Sequence, residues 1–128
     1  MEMLEDESSI KLCPAIYQEK ILGCRHLRVN IFGSSVYAFE IRSDMMDWRR
    51  KLTKQIYHVN LPLDISEALL SIKNKLGLHL SVFDLKYDET GELVFLELNP
   101  QGQYLFIEGL NGFPLNEKMV DFLLKVGN

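Results

Sequence analysis

Three β-forming segments follow one another near the start of the chain with no helix between them: PAIYQEKIL (14–22), RHLRVNIFG (25–33) and SSVYAFEIRS (34–43). That succession constrains the fold more than any other feature. Parallel neighbours need a crossover of a dozen or more residues, so strands joined this closely must run antiparallel. Gly33-Ser34-Ser35 is a hairpin signal between the last two. Within the second segment Leu27, Val29 and Ile31 fall on one face, and Arg28, Asn30 and Phe32 on the other.

The rest of the chain fits an α+β plan. Residues 43–63 show no sustained period and read as a long loop, with a short strand at QIYHV. Asp64-Ile65-Ser66-Glu67 matches a capping box opening a helix, whose apolar stripe is Ile65, Leu69, Ile72 and Leu76 and whose stop is Gly77. LHLSVFDLKY and ELVFLELN read as two more strands around Asp88-Glu89-Thr90-Gly91. A second helix starts near Pro114, with Leu115, Met119, Phe122 and Val126 on one face. The expected fold is therefore a mainly antiparallel sheet with helices packed on one side. Residues 1–12 form a polar lead-in and 13–128 one domain.

Charge and cysteine usage narrow the function classes. A net charge of −4 argues against a general nucleic-acid binder. No apolar run approaches the ~18 residues of a membrane span, and the start MEMLEDESS is acidic where a signal peptide is basic. Cys13 and Cys24 have neither zinc-site spacing nor the density of a disulfide framework, so both are expected to be reduced packing residues of a cytoplasmic protein.

The stretch FLELNPQGQY (95–104) raises the chemical question. It places Glu97 and Asn99 two residues apart on a strand, just before the strand breaks at Pro100-Gln101-Gly102. If residues 88–91 are a four-residue loop, Tyr87 pairs with Glu92 and Asp84 lies opposite Phe95. Asp84, Glu97 and Asn99 then share a face. Two carboxylates and an amide oxygen suit Mg²⁺, which is commonly held by one or two carboxylates plus substrate phosphates and water. A solvated sheet face beside a hairpin turn explains the same residues, and the spacing alone leaves both readings open. Arg28 on a strand and Arg49 after Asp47-Trp48 are candidate phosphate grips. The P-loop signature GxxxxGK[ST] is absent.

Taken in order, CPAIYQEKI, LRVNIFG, DWR, GLHLSVFDLKYD and VFLELNPQGQYLFIE resemble the C-terminal half of ATP-grasp ligases. The likeness is strongest to the ATP-grasp peptide maturases that cross-link microviridin-like (graspetide) precursors, and it runs from about Cys13 to Leu124. It implies that Asp84, Glu97 and Asn99 hold Mg²⁺ against the phosphates of ATP. It implies that Arg28 and Arg49 act on the phosphates as the catalytic cations, and that the backbone of Gln18, Glu19, Lys20 and Ile21 is a hinge strand reading the adenine edge. The reaction so implied activates a carboxylate as an acyl-phosphate for attack by an amine or hydroxyl, on a ribosomal peptide or protein. With only the short lead-in ahead of the hinge strand, the family's N-terminal lobes are expected to be absent. The expected partners are then a nucleotide, a complementary chain supplying those lobes, a precursor peptide or a homo-oligomer. The alternative is a non-catalytic peptide- or protein-binding module derived from the same fold. The sequence departs from the maturases at His26, where relatives carry an acid, and at Tyr104 and Phe106, where they carry tryptophans.

Overall fold

The computed structural model describes residues 18–43 and 55–126. Five strands form a single sheet: β1 (Arg25–Phe32), β2 (Ser35–Arg42), β3 (Gln55–Val59), β4 (Leu80–Tyr87) and β5 (Leu93–Asn99). Their spatial order is β3-β2-β1-β4-β5, and every neighbouring pair is antiparallel. The short strand expected at QIYHV is β3, while Trp48, Arg49 and Cys13 lie outside the described residues. The β1–β2 hairpin turns on Gly33 and Ser34, with Phe32 paired to Ser35. Gly33 has φ 62 and Ser34 is not left-handed, the requirement of a type II′ turn, whose twist matches that of the strands.

β1 is central and buried on both sides, and its alternation divides the core in two. Leu27, Val29 and Ile31 pack with Ala38, Phe83 and Leu85 beneath α1 (Leu63–Lys75), which contributes Leu69 and Ile65. Phe32 packs with Phe39, Ile41 and Ile56 beneath α2 (Leu105–Asn111) and α3 (Leu115–Val126), through Ile107, Leu115, Met119 and Phe122. The α+β class and the antiparallel sheet stand as the sequence implied. The helices, however, divide between the two faces. Leu27, Val29 and Ile31 of β1 point to one side, and Phe32 of β1 with Phe39 and Ile41 of β2 to the other, so each side carries apolar residues and needs its own cover.

Four local readings change. The segment expected as a first strand is irregular over its described residues 18–22. β1 already has β2 on one edge and β4 on the other, leaving no adjacent edge for it. α1 starts at Leu63 behind Pro62, with no side-chain cap, so the Asp64–Glu67 capping box does not form. Its buried stripe runs through Leu69 and Lys73, leaving Ile72 and Leu76 largely exposed. The stop at Gly77 holds: Gly77 N donates to Asn74 O and Leu78 N to Lys73 O, a Schellman closure. α2 has no counterpart in the sequence reading. Cys24 is a free thiol but exposed, so it does not serve as packing.

Candidate functional site

On the α2/α3 face, the polar residues of β1, β4 and β5 fall into two adjacent rows. Arg28, Asp84 and Glu97 are directly opposed across the three strands, and Asn30, Val82 and Asn99 form the next row. Asp84 thus shares a face with Glu97 and Asn99 by a route different from the expected one. Tyr87 pairs with Leu93, so the turn is one residue longer than expected, and Leu96 is an extra residue bulged between Phe95 and Glu97. The two shifts cancel for Glu97 but not for Phe95, which lies opposite Leu85 on the α1 face. Directly opposed side chains have Cβ atoms about 5 Å apart, close enough for Asp84 and Glu97 to share a ligand. Glu97 and Asn99 are exposed at the sheet edge and Asp84 is buried beside them.

Arg28 balances the buried acid. Its Nη1 donates to both Asp84 oxygens at 2.8 Å, with the two side chains 7% and 10% exposed. Its Nη2 donates to the Gln103 carbonyl at 2.7 Å, and its guanidinium sits 5.5 Å from the Phe106 ring centroid. The break after β5 delivers those partners. Asn99 Oδ1 accepts from Gln101 N at 2.9 Å, folding the chain back over β4. A Cβ on Gly102 would lie 2.5 Å from Val82 Cβ, so a glycine is required here for close approach and not for a positive φ.

Two residues beyond Asp84 on the same face, Lys86 is buried and donates from Nζ to the Ile21 carbonyl at 2.7 Å. Burial, with the charge of Lys20 adding to it, pushes this ammonium below the ordinary lysine range. Gln18, Glu19 and Lys20 are exposed.

No protein-family model matches the chain, and neither does any curated protein sequence. Solved structures do. The macrocyclase MdnC of Microcystis aeruginosa MRC, bound with precursor peptide MdnA, matches with TM-score 0.74 and 27% identity over 85% of this chain and 35% of its own. The Chryseobacterium gregarium RiPP-associated ATP-grasp ligase, in complex with ADP and a leader and core peptide, matches with TM-score 0.75 and 25% identity over 84% of this chain and 35% of its own. The chain has an ATP-grasp fold. A third match is the macrocyclase MdnB of Microcystis aeruginosa MRC, with TM-score 0.69 and 27% identity over 84% of this chain and 40% of its own. The chain therefore spans little more than a third of the length of these proteins, in keeping with a C-terminal half.

Within this ATP-grasp fold, the residues singled out in sequence are distributed as follows. Asp84, Glu97, Asn99 and Arg28 are on one face in two adjacent rows. Ile21 is tied to that face through Lys86, and Gln18, Glu19 and Lys20 are exposed. Arg49 lies outside the described residues. The donor set fits Mg²⁺: two carboxylates and an amide oxygen are all hard ligands. Among the described residues no three His, Cys, Asp or Glu side chains gather, so an ion here would need oxygens from a ligand to complete its shell. That is the ordinary situation of Mg²⁺ beside phosphates.

The sequence reading missed Lys86 and the Gln103 carbonyl. Lys86 follows Asp84 at the two-residue spacing of one strand face, a signal that was available; the Gln103 contact was not foreseeable, because it depends on a loop path. A depression of about 690 Å³ at the far end of β4, lined by Cys24, Arg25, Tyr87, Asp88 and Thr90 among others, is a poorer candidate. Asp88 is consumed by its own turn, accepting from Thr90 N, Thr90 Oγ1 and Glu92 N. These bonds, led by that of the Thr90 hydroxyl, hold its carboxyl below the ordinary range. Arg25 is committed to Glu40 at 2.7 Å.

Proposed function

We propose that this chain is the Mg-ATP-binding part of an ATP-dependent carboxylate–amine or carboxylate–hydroxyl ligase that acts through an acyl-phosphate on a ribosomal peptide. One observation carries the reading: the direct opposition of Asp84 and Glu97, with Arg28 in the same row, inside a fold shared with peptide-bound ATP-grasp ligases. Asp84, Glu97 and Asn99 would hold the cation. Mg²⁺ would supply charge neutralisation of the nucleotide phosphates and of the developing charge in phosphoryl transfer.

The chain's own residues account for the rest. Arg28 fills the electrostatic role at Asp84 in the structure, and its bidentate guanidinium suits a phosphate oxygen equally well. Arg49 serves as the second phosphate cation, and the backbone of Gln18–Ile21 reads the adenine edge. Exposed Glu97 gives the site its open side, where a nucleotide can approach. The bound peptides of the two ligases support a peptide as the acceptor class.

Calorimetric titration of a non-hydrolysable ATP analogue tests this on the full chain and on Glu97→Ala, each with and without Mg²⁺. Binding that requires Mg²⁺ and falls at least tenfold (about 1.4 kcal/mol) in the variant is the expected result. Equal binding by both proteins, or none by either, would remove the metal site from this face.

A further inference from the structure

Lys86 is expensive where it stands. It is 5% exposed, its cross-strand neighbours are His26 and Val94, and the acid two residues along its face is held by Arg28. Among the described residues Lys86 has no paired carboxylate, and burying such an ammonium costs far more than burying an apolar side chain of similar volume. A methionine would fill this space at less cost, so the stability of the sheet does not call for a lysine here. What the lysine adds, among the described residues, is a donor to one acceptor, the carbonyl of Ile21.

Among the described residues, that acceptor belongs to a segment fixed at few points. Residues 18–24 form no strand, and Gln18, Glu19, Lys20 and Leu22 are exposed. Cys24 O accepts from Ser43 N at 2.8 Å, which secures the end of the segment nearest β1. The Lys86 bond secures it three residues earlier. β4 therefore carries, two residues apart on one face, both the buried acid and the anchor of this exposed stretch of backbone.

We propose that Lys86 is a positioning residue, whose hydrogen bond to the Ile21 carbonyl sets the Gln18–Ile21 backbone at a fixed place relative to the Asp84–Glu97 pair, so that the base and the phosphates of one nucleotide are received together. The proposal rests on the nucleotide reading of this face given above. Its physical content is preorganisation: a segment already ordered does not charge its ordering cost against binding.

The test compares the full chain with Lys86→Met, which keeps the volume and removes the donor. Hydrogen exchange without nucleotide should accelerate over residues 20–24 and remain unchanged in β1 and β4. The affinity for a non-hydrolysable ATP analogue with Mg²⁺ should fall about tenfold, the worth of ordering roughly one residue of backbone. The melting temperature should hold or rise, because a buried charge has been removed. Unchanged exchange over residues 20–24 overturns the anchor whether or not the parent binds nucleotide. Faster exchange with undiminished affinity overturns the positioning role. Faster exchange in a chain whose parent does not bind the analogue overturns the nucleotide reading and leaves only the anchor. A variant that melts markedly lower, or fails to fold, makes Lys86 structural and overturns the proposal.

Discussion

Arg28 and Asp84 stabilise each other in a place where either charge alone would be costly. Both are buried, and one nitrogen of the arginine serves both carboxylate oxygens. Removing one partner leaves the other desolvated without compensation, a lesion worth about 3 kcal/mol or more. Asp84→Ala and Arg28→Met should therefore each lower the urea midpoint by an amount of that order. The double variant should lose clearly less than the sum, since removing both charges also removes the penalty of the orphan. Strictly additive losses would show that the pair contributes nothing as a pair. The same two residues explain how a carboxylate can be buried on this face: the guanidinium supplies the countercharge.

At the level of elements, the loop between β5 and α2 depends on one missing methyl group. Gly102 lies so close to β4 that a Cβ would meet Val82 Cβ at 2.5 Å and Cγ2 at 2.6 Å. Gly102→Ala should lift residues 100–104 off the strand, withdraw the Gln103 carbonyl from Arg28 and cost about 1–3 kcal/mol. Adding Val82→Ala should restore much of the loss in the same unfolding measurement; no rescue would place the strain elsewhere. The break at Pro100-Gln101-Gly102 was legible in sequence, and the need for this glycine was not, because the close approach depends on the path of the loop. The same division runs through the fold. The β1–β2 hairpin and the strand faces follow from local alternation and one turn, and were readable. The fate of residues 18–24 depended on which sheet edges remained free, and the helix placement on Phe32, Phe39 and Ile41 giving the second face an apolar patch of its own. α2, only seven residues long, is stabilised by Ile107 in the core and closed by Gly112 at φ 80, neither of which makes a periodic signal. At the site, Asp84, Glu97 and Asn99 were grouped correctly from a turn one residue too short, because the bulge at Leu96 compensates. The Lys86–Ile21 contact joins residues 65 apart in sequence, which no pattern in either segment announces.

Across the whole sheet, one charged band ties four strands together at the edge of the core under α1. Arg42 of β2 lies over Tyr57 of β3 at 5.3 Å, and Arg25 of β1 lies over Tyr87 of β4 at 4.3 Å. Between them Glu40 takes a hydrogen bond from each arginine, at 2.7 Å from Arg25 Nη2 and 2.8 Å from Arg42 Nε. The Arg25 bond is the main reason the Glu40 carboxyl is held below its ordinary value of 4.5, with burial opposing and Arg42 adding to the shift. The sign of the pH dependence follows. As pH falls below that ordinary value the unfolded chain takes up the proton first, so the stabilisation is fully present above it and is lost as pH falls through the lower folded value. The melting temperature should therefore be insensitive to this group from neutrality down to about pH 5 and decline below it. Glu40→Gln should melt a few degrees lower at neutral pH and decline less steeply in acid, the two curves converging. Both arginine side chains are about half exposed, 47% and 57%, so added salt should shrink the gap between parent and variant at neutral pH. Parallel curves down to about pH 3 would mean that Glu40 contributes through packing and that acid stability is set by other carboxylates.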